Sequence, residues 1–390
     1  MILPYHYKSF AFPLFFAVLG LNAIGLMAVY SASNQDMAIV GRQMVGACIG
    51  FSAMAVLCLL PHQKILRYAV PIFAACCVLL LLVDVYGKIV GGAKRWIVLP
   101  GIGQVQPSEF AKIGIVIFAA WLLGKNREEI NQPRFLLIFA ALFAIPLSLI
   151  FSEPDLSTTI VVTIAIAAML FVAGLSYRWI GLAFGIGIPV ALISAVLLRN
   201  GMIPFLEDYQ VRRIQAFLHP SQYADANWQQ NNSIMAIGSG QLFGKGLNNN
   251  TLASVKSGNF LAEEQTDFIF AVIGEELGFL GCLLVIALYA VVVYQCFYIA
   301  GKCKSTEGRV LCTGIGALIA FQGFSNIAVA TGIFPNTGLT LPFVSYGVSS
   351  LLSFYSGIGL VLNVGLQRTD HLVRDYGFPE NNSGRGTLRR

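Results

Sequence analysis

The sequence predicts an all-α polytopic membrane protein with about ten transmembrane helices and a large extracytoplasmic loop between helices 7 and 8. Three observations carry that prediction. Of 390 residues, 56% are hydrophobic and only 11% charged, against roughly 25% charged in an ordinary soluble domain, and the mean hydropathy is +0.72. Apolar runs of about 20 residues, the length that crosses a hydrocarbon core roughly 30 Å thick, recur along almost the whole chain. One long polar stretch, about 199–266, interrupts them.

The first run, near 10–30, leads into "YSASNQD" rather than into a soluble domain, which predicts a signal-anchor helix instead of a cleaved signal peptide. Runs near 40–60 and 68–86 follow, with Lys64 and Arg67 between them. Residues 87–114, "GKIVGGAKRWIVLPGIGQVQPSEFAKIG", hold too much glycine and proline for a helix. Because Ile89, Val90, Trp96, Ile97 and Val98 suit the membrane interface, a re-entrant or surface-lying loop is expected there. The fourth run, 109–124, starts at Pro107-Ser108-Glu109, where a serine cap and a first-turn acid serve free amide groups. Glu109 and Lys112 share a helix face. They fit either a local ion pair or, given the cost of charge inside a membrane, part of a site.

Runs 135–151 and 156–173 are joined through "SEPD", whose Glu153 and Asp155 suit a solvated turn or a site. The next run is 178–198. The turns on both sides of 156–173 are only about four residues long, which leaves nine or eleven as neighbouring counts. The polar stretch 199–266 is too long for a loop without a task. Its "YQVRRIQAFLHP" offers Arg212 and Arg213, whose forked guanidinium groups suit phosphates, with anionic lipid headgroups as the competing ligand. Its "SGQLFGKGL" sets Lys245 among glycines but fails as a Walker loop. Ser239 stands where the first glycine belongs, and Gly246 stands where Ser or Thr must follow the lysine. A glycine-rich hinge near an anionic ligand and a plain surface loop both remain.

The eighth run, 267–298, opens with "EEQTDFIFAVIGEELGFLG". As one continuous helix it carries Glu275 and Glu276 about 12 to 14 Å beyond Asp267, turned from it by about 80° and 180°. Asp267 is therefore the candidate for chemistry at the outer face, and the glutamates for contacts between helices or a polar cavity. Runs 309–331 and 342–366 complete a single transmembrane domain, 1–366, followed by a basic tail, 367–390, expected to be cytoplasmic and disordered.

With a cytoplasmic N-terminus, fifteen of the 25 Lys and Arg residues fall on inner segments, which predicts both termini inside. All eight cysteines fall within runs or on the inner side, so no disulfide framework is expected, and their spacing matches no zinc site. The net charge of +6 is this inward bias plus the tail, and nucleic acid is not an expected partner.

Together the motifs "KRWIVLPGIGQVQPSEFAK", "EPDLSTT", "YQVRRIQAFLHP", "SIMAIGSGQLFGKGL", "EEQTDFIFAVIGEELGFLG" and "TGLTLPFVSYGVSSLL" run in order through almost the entire chain. In them the chain resembles the SEDS family of polytopic membrane proteins (shape, elongation, division and sporulation). The resemblance implies a ten-span peptidoglycan glycosyltransferase of the bacterial cytoplasmic membrane that polymerises lipid II at the outer face and releases undecaprenyl pyrophosphate. It further implies a class B penicillin-binding protein as partner. Carried onto matching positions, Asp267 is the essential acid, and Arg95, Glu109, Lys112 and Asp155 belong to a central cavity.

That chemistry suits the residues. A carboxylate such as Asp267 can act as general base for the incoming hydroxyl. Pyrophosphate leaves readily, so cations that take up its charge matter more than a general acid, and Arg95, Lys112, Arg212, Arg213 and Lys245 are available for substrate binding. A divalent cation, Mg or Mn, bridging an acid and the pyrophosphate is compatible with this, but no motif marks a metal site and no cofactor is assigned. The apolar spans must also offer membrane lipids and polyprenyl chains a lateral groove. The competing reading is a lipid II flippase or another polytopic carrier, since ten spans and intramembrane acids suit transport as well.

Overall fold

The computed structural model describes residues 10–33, 35–90, 93–99, 103–199, 208–219, 222–247 and 264–367. The basic tail beyond 367 and much of the polar stretch 199–266 lie outside the described residues. The chain begins with α1 (Phe12–Ala32), α2 (Met37–Leu59), the short α3 (His62–Arg67) and α4 (Ala69–Tyr86). Next come three strands, then α5 (Pro107–Lys125), α6 (Pro133–Ser152), α7 (Leu156–Ala173) and α8 (Tyr177–Arg199). The polar stretch contributes α9 (Asp208–Leu218) and α10 (Ala224–Ser239), and the chain closes with α11 (Ile269–Lys302), α12 (Thr306–Ala330) and α13 (Val348–Leu366).

Among the described residues, nine helices are long and apolar enough to cross a membrane, and α8 occupies the run predicted at 178–198. These helices are hydrophobic all round, as expected where the far side faces lipid rather than water. α5, α12 and α13 are buried on most sides and form the centre of the bundle. The helices around them leave Phe16, Leu137 and Leu283 exposed on their outer faces. α8 exposes Leu182, Phe184, Ile186, Ile188, Val190 and Ile193.

Within the segment expected as a re-entrant or surface-lying loop, three strands, β1 (Lys88–Val90), β2 (Ala93–Leu99) and β3 (Gly103–Val105), form a small antiparallel meander. Ile97 pairs with Val105 and Val98 with Gln104. β-Branched residues separated by Gly and Pro favour a pleated ribbon, and the interface lets a ribbon satisfy most of its backbone internally.

One expectation changes in α11, which is not one continuous helix. Gly278 adopts φ 66° and ψ −164°, and the ladder breaks there. The Phe279 and Leu280 amides, which would bond the Glu275 and Glu276 carbonyls, donate to Gln241 and Leu242 at 2.8 and 3.2 Å. The freed carbonyls accept from the amides of Lys245 and Gly246 at 2.9 and 3.0 Å. The glycine-rich loop after α10 is thus spliced into the break, which is how a membrane protein tolerates non-helical backbone.

Between α12 and α13 the chain forms a non-helical strap, 331–347, in which Pro335 and Pro342 prevent a ladder. Its carbonyls are satisfied by side chains of four helices. Asn326 and Gln322 of α12 donate to Leu339 and Thr340, Tyr289 of α11 to Pro342, Asn22 of α1 to Phe343, and Gln43 of α2 to Ser345.

Candidate functional site

The strap, the sheet, the α6–α7 turn and α9 meet at one end of the bundle around a groove of about 330 Å³. Its walls are apolar, with Leu156 and Ile160 of α7, Phe321 of α12 and Phe334 and Leu339 of the strap. Arg95 from β2 and Arg213 from α9 bring two guanidinium groups to it. At Gly338, whose φ of 71° suits glycine, a Cβ would stand 3.6 Å from Asp267 Oδ2 and 3.7 Å from Arg213 Nη1. A carboxylate and a guanidinium therefore flank the strap at the same point.

Asp267 lies in the turn just before α11. Three successive carbonyls there are held from outside. Gln265 accepts from the Tyr346 amide at 2.8 Å, Thr266 from Ser345 Oγ at 2.6 Å, and Asp267 from Asn326 Nδ2 at 2.8 Å.

Arg95 is spent on the turn between α6 and α7. Its Nε donates to the Glu153 carbonyl at 3.0 Å, its Nη2 to the Pro154 carbonyl, and its Nη1 lies 4.0 Å from Asp155 Oδ1. Asp155 in turn caps α7, accepting from the Thr158 amide at 3.1 Å and from Thr158 Oγ1 at 2.9 Å. Glu153 is 1% exposed and neither carboxyl oxygen has a hydrogen-bond partner. Burial first, then the nearby Asp155 and Asp84, push it up to about 9 against the pull of Arg95, so it is a neutral acid at pH 7.

Glu109 and Lys112 form their ion pair at 2.8 Å, but inside the protein, with Lys112 fully buried. Lys112 Nζ also donates to Gln322 Oε1 at 2.7 Å and lies 4.9 Å over the Phe354 ring. The pair does not line the groove; it reaches the strap through Gln322. Lys245 is likewise engaged by Glu275 at 2.8 Å, while Glu276 accepts from Ser31. The two arginines of α9 differ: Arg213 lines the groove and Arg212 is exposed.

Of the residues singled out in the sequence, Arg95 and Arg213 reach the groove and Asp267 flanks it beside Gly338, whereas Glu109, Lys112, Asp155 and Lys245 brace the elements around it. The sequence reading missed Gln322 and Asn326. Their one signal was two amides four residues apart in an otherwise apolar run, "FQGFSN". Among the described residues no group of three His, Cys, Asp or Glu side chains could hold a metal ion.

Residues 12–370 match the FtsW/RodA/SpoVE family of cell cycle proteins. The chain is 35% identical over 357 residues to the peptidoglycan glycosyltransferase MrdB of Escherichia coli (strain K12), covering 90% of this chain and 92% of that one. It is 34% identical over 373 residues to the probable peptidoglycan glycosyltransferase FtsW of Trichlorobacter lovleyi, covering 93% and 94%. Among solved structures, a chain of a peptidoglycan synthase complex that coordinates polymerization and crosslinking superposes with a TM-score of 0.76 at 28% identity, covering 94% of this chain and 99% of that chain. The rod shape determining protein RodA of Thermus thermophilus superposes with a TM-score of 0.68 at 28% identity, covering 93% and 99%.

Proposed function

Since this chain belongs to the FtsW/RodA/SpoVE (SEDS) family and is a peptidoglycan glycosyltransferase, we propose that it polymerises lipid II at the outer face of the cytoplasmic membrane and releases undecaprenyl pyrophosphate. The observation that carries this reading is the convergence of Asp267 and Arg213 on Gly338 beside an apolar groove. One side chain can take a proton, the other can hold a phosphate, and the groove suits a polyprenyl chain.

In this mechanism the 4-hydroxyl of one lipid-linked disaccharide attacks the anomeric carbon of another. Its proton passes to Asp267 as the bond to the pyrophosphate breaks. Arg213 takes up the charge that develops on the departing pyrophosphate, while Arg95 holds the α6–α7 turn in the groove wall. Glu109, Lys112, Asp155 and Lys245 act through the elements they brace. Both termini are cytoplasmic, which puts the groove end outside, and a class B penicillin-binding protein is the partner that crosslinks the product.

The test is polymerisation of labelled lipid II by the purified protein in detergent or liposomes, resolved by gel. Asp267→Asn keeps the size and removes the basic charge, and it is expected to yield no glycan strands at a parental melting temperature. Near-normal polymer from that variant overturns the base assignment. Translocated lipid without polymer supports the flippase reading instead.

A further inference from the structure

We propose that Asn326 is the positioning residue of the catalytic acid, setting where the Asp267 carboxylate stands relative to Arg213. The inference rests on the reading of Asp267 as the base.

Asn326 is 1% exposed and spends its side-chain amide on two carbonyls, donating to Asp267 at 2.8 Å and to Leu339 at 2.7 Å. Both acceptors belong to the site. Asp267 supplies the carboxylate, and Leu339 lies in the groove wall next to Gly338, the residue that the carboxylate and Arg213 both flank. The orientation of the amide follows from its partners, because a flipped side chain would set Oδ1 against two carbonyl oxygens. Asp267 lies in the turn before α11, and these bonds tie its backbone to α12 and the strap.

The neighbouring bond belongs to the same clamp. Ser345 Oγ donates to the Thr266 carbonyl at 2.6 Å while accepting from the Leu341 amide at 2.8 Å. One turn back on α12, Gln322 donates to the Thr340 carbonyl at 3.0 Å, and its Oε1 accepts from Lys112. Position 340 of the strap is thus tied to the buried Glu109–Lys112 pair, and position 339 to the acid. This gives the fully buried lysine a task without contact with substrate: it holds the amide of Gln322 in the orientation that grips the strap.

The experiment is steady-state lipid II polymerisation by full-length Asn326→Ala across pH, with melting temperature measured in parallel. A displacement on the order of 1 Å is enough to cost about 100-fold, so kcat is expected to fall at least tenfold with KM within twofold. The acid limb of the profile should also move, because the setting of the carboxylate relative to the Arg213 charge changes. A merely structural role lowers activity without moving that limb. Parental kcat, an unmoved limb, or a change in KM alone overturns the proposal. Should Asn326→Ala fail to fold, Ser345→Ala removes the adjacent bond and must show the same split. If Asp267→Asn is dead while Asn326→Ala behaves as the parent, this inference fails and the base assignment stands; active Asp267→Asn removes the base assignment itself.

Discussion

The Lys245 ammonium sits 2.8 Å from Glu275 Oε1 while the Lys245 amide donates to the Glu275 carbonyl at 2.9 Å. Two bonds from one residue to another bind the glycine-rich loop to the break in α11. The ion pair neutralises a carboxylate that is 2% exposed in the middle of an apolar run.

Gly278→Ala is expected to undo that splice. An added Cβ would lie 2.3 Å from the Gly244 nitrogen, and φ of 66° is strained for alanine. Hydrogen exchange checks it. The amides of Lys245 and Gly246, protected in the parent, should exchange at least tenfold faster in the variant, and unchanged protection would mean that the loop holds by other contacts.

The buried pair makes a stability prediction. Glu109→Ala leaves Lys112 charged and buried, which should cost about 3–5 kcal/mol, whereas Glu109→Gln with Lys112→Met removes both charges and should cost much less. Thermal unfolding in one detergent compares them. Equal losses in the single and double variants would rule out the pair as a coupled unit.

The two arginines of α9 should separate. Arg213→Lys keeps the charge but loses the fork, and turnover on lipid II is expected to fall about tenfold. Arg212→Lys, on the exposed side, should stay within twofold of the parent. Polymerisation rates at saturating substrate decide it, and a greater loss at Arg212 would place the phosphate on the other face of α9.

Glu153 predicts a pH dependence. Its carboxyl is raised to about 9 in the folded protein and titrates near 4.5 when unfolded. The folded state therefore binds the extra proton between those values, so its contribution is full below pH 4.5, declines as pH rises and levels off above about 9. Glu153→Gln should flatten that decline and melt higher than the parent at pH 8. Parallel melting curves from pH 5 to 9 would show that Glu153 is ionised in place.

The sequence by itself determined the class and the succession of apolar helices, and it singled out Asp267 as the candidate acid. Each follows from local chemistry: a lipid solvent demands apolar runs of fixed length, and a charge beside such a run stands out. It also carried the charge complementarity of Glu109 and Lys112, because helical spacing alone puts them together. What only the tertiary structure decided is which polar groups meet across the chain. A break at Gly278 cannot be seen in a run of apolar residues, since the loop that satisfies it lies more than thirty residues earlier. Nor does sequence order show that Asn326 and Tyr346 hold the backbone at Asp267, or that Lys112 and Lys245 already have carboxylate partners while Arg213 reaches the groove. In a membrane interior every polar group must find a partner within the protein, and which partner it finds depends on how the helices pack.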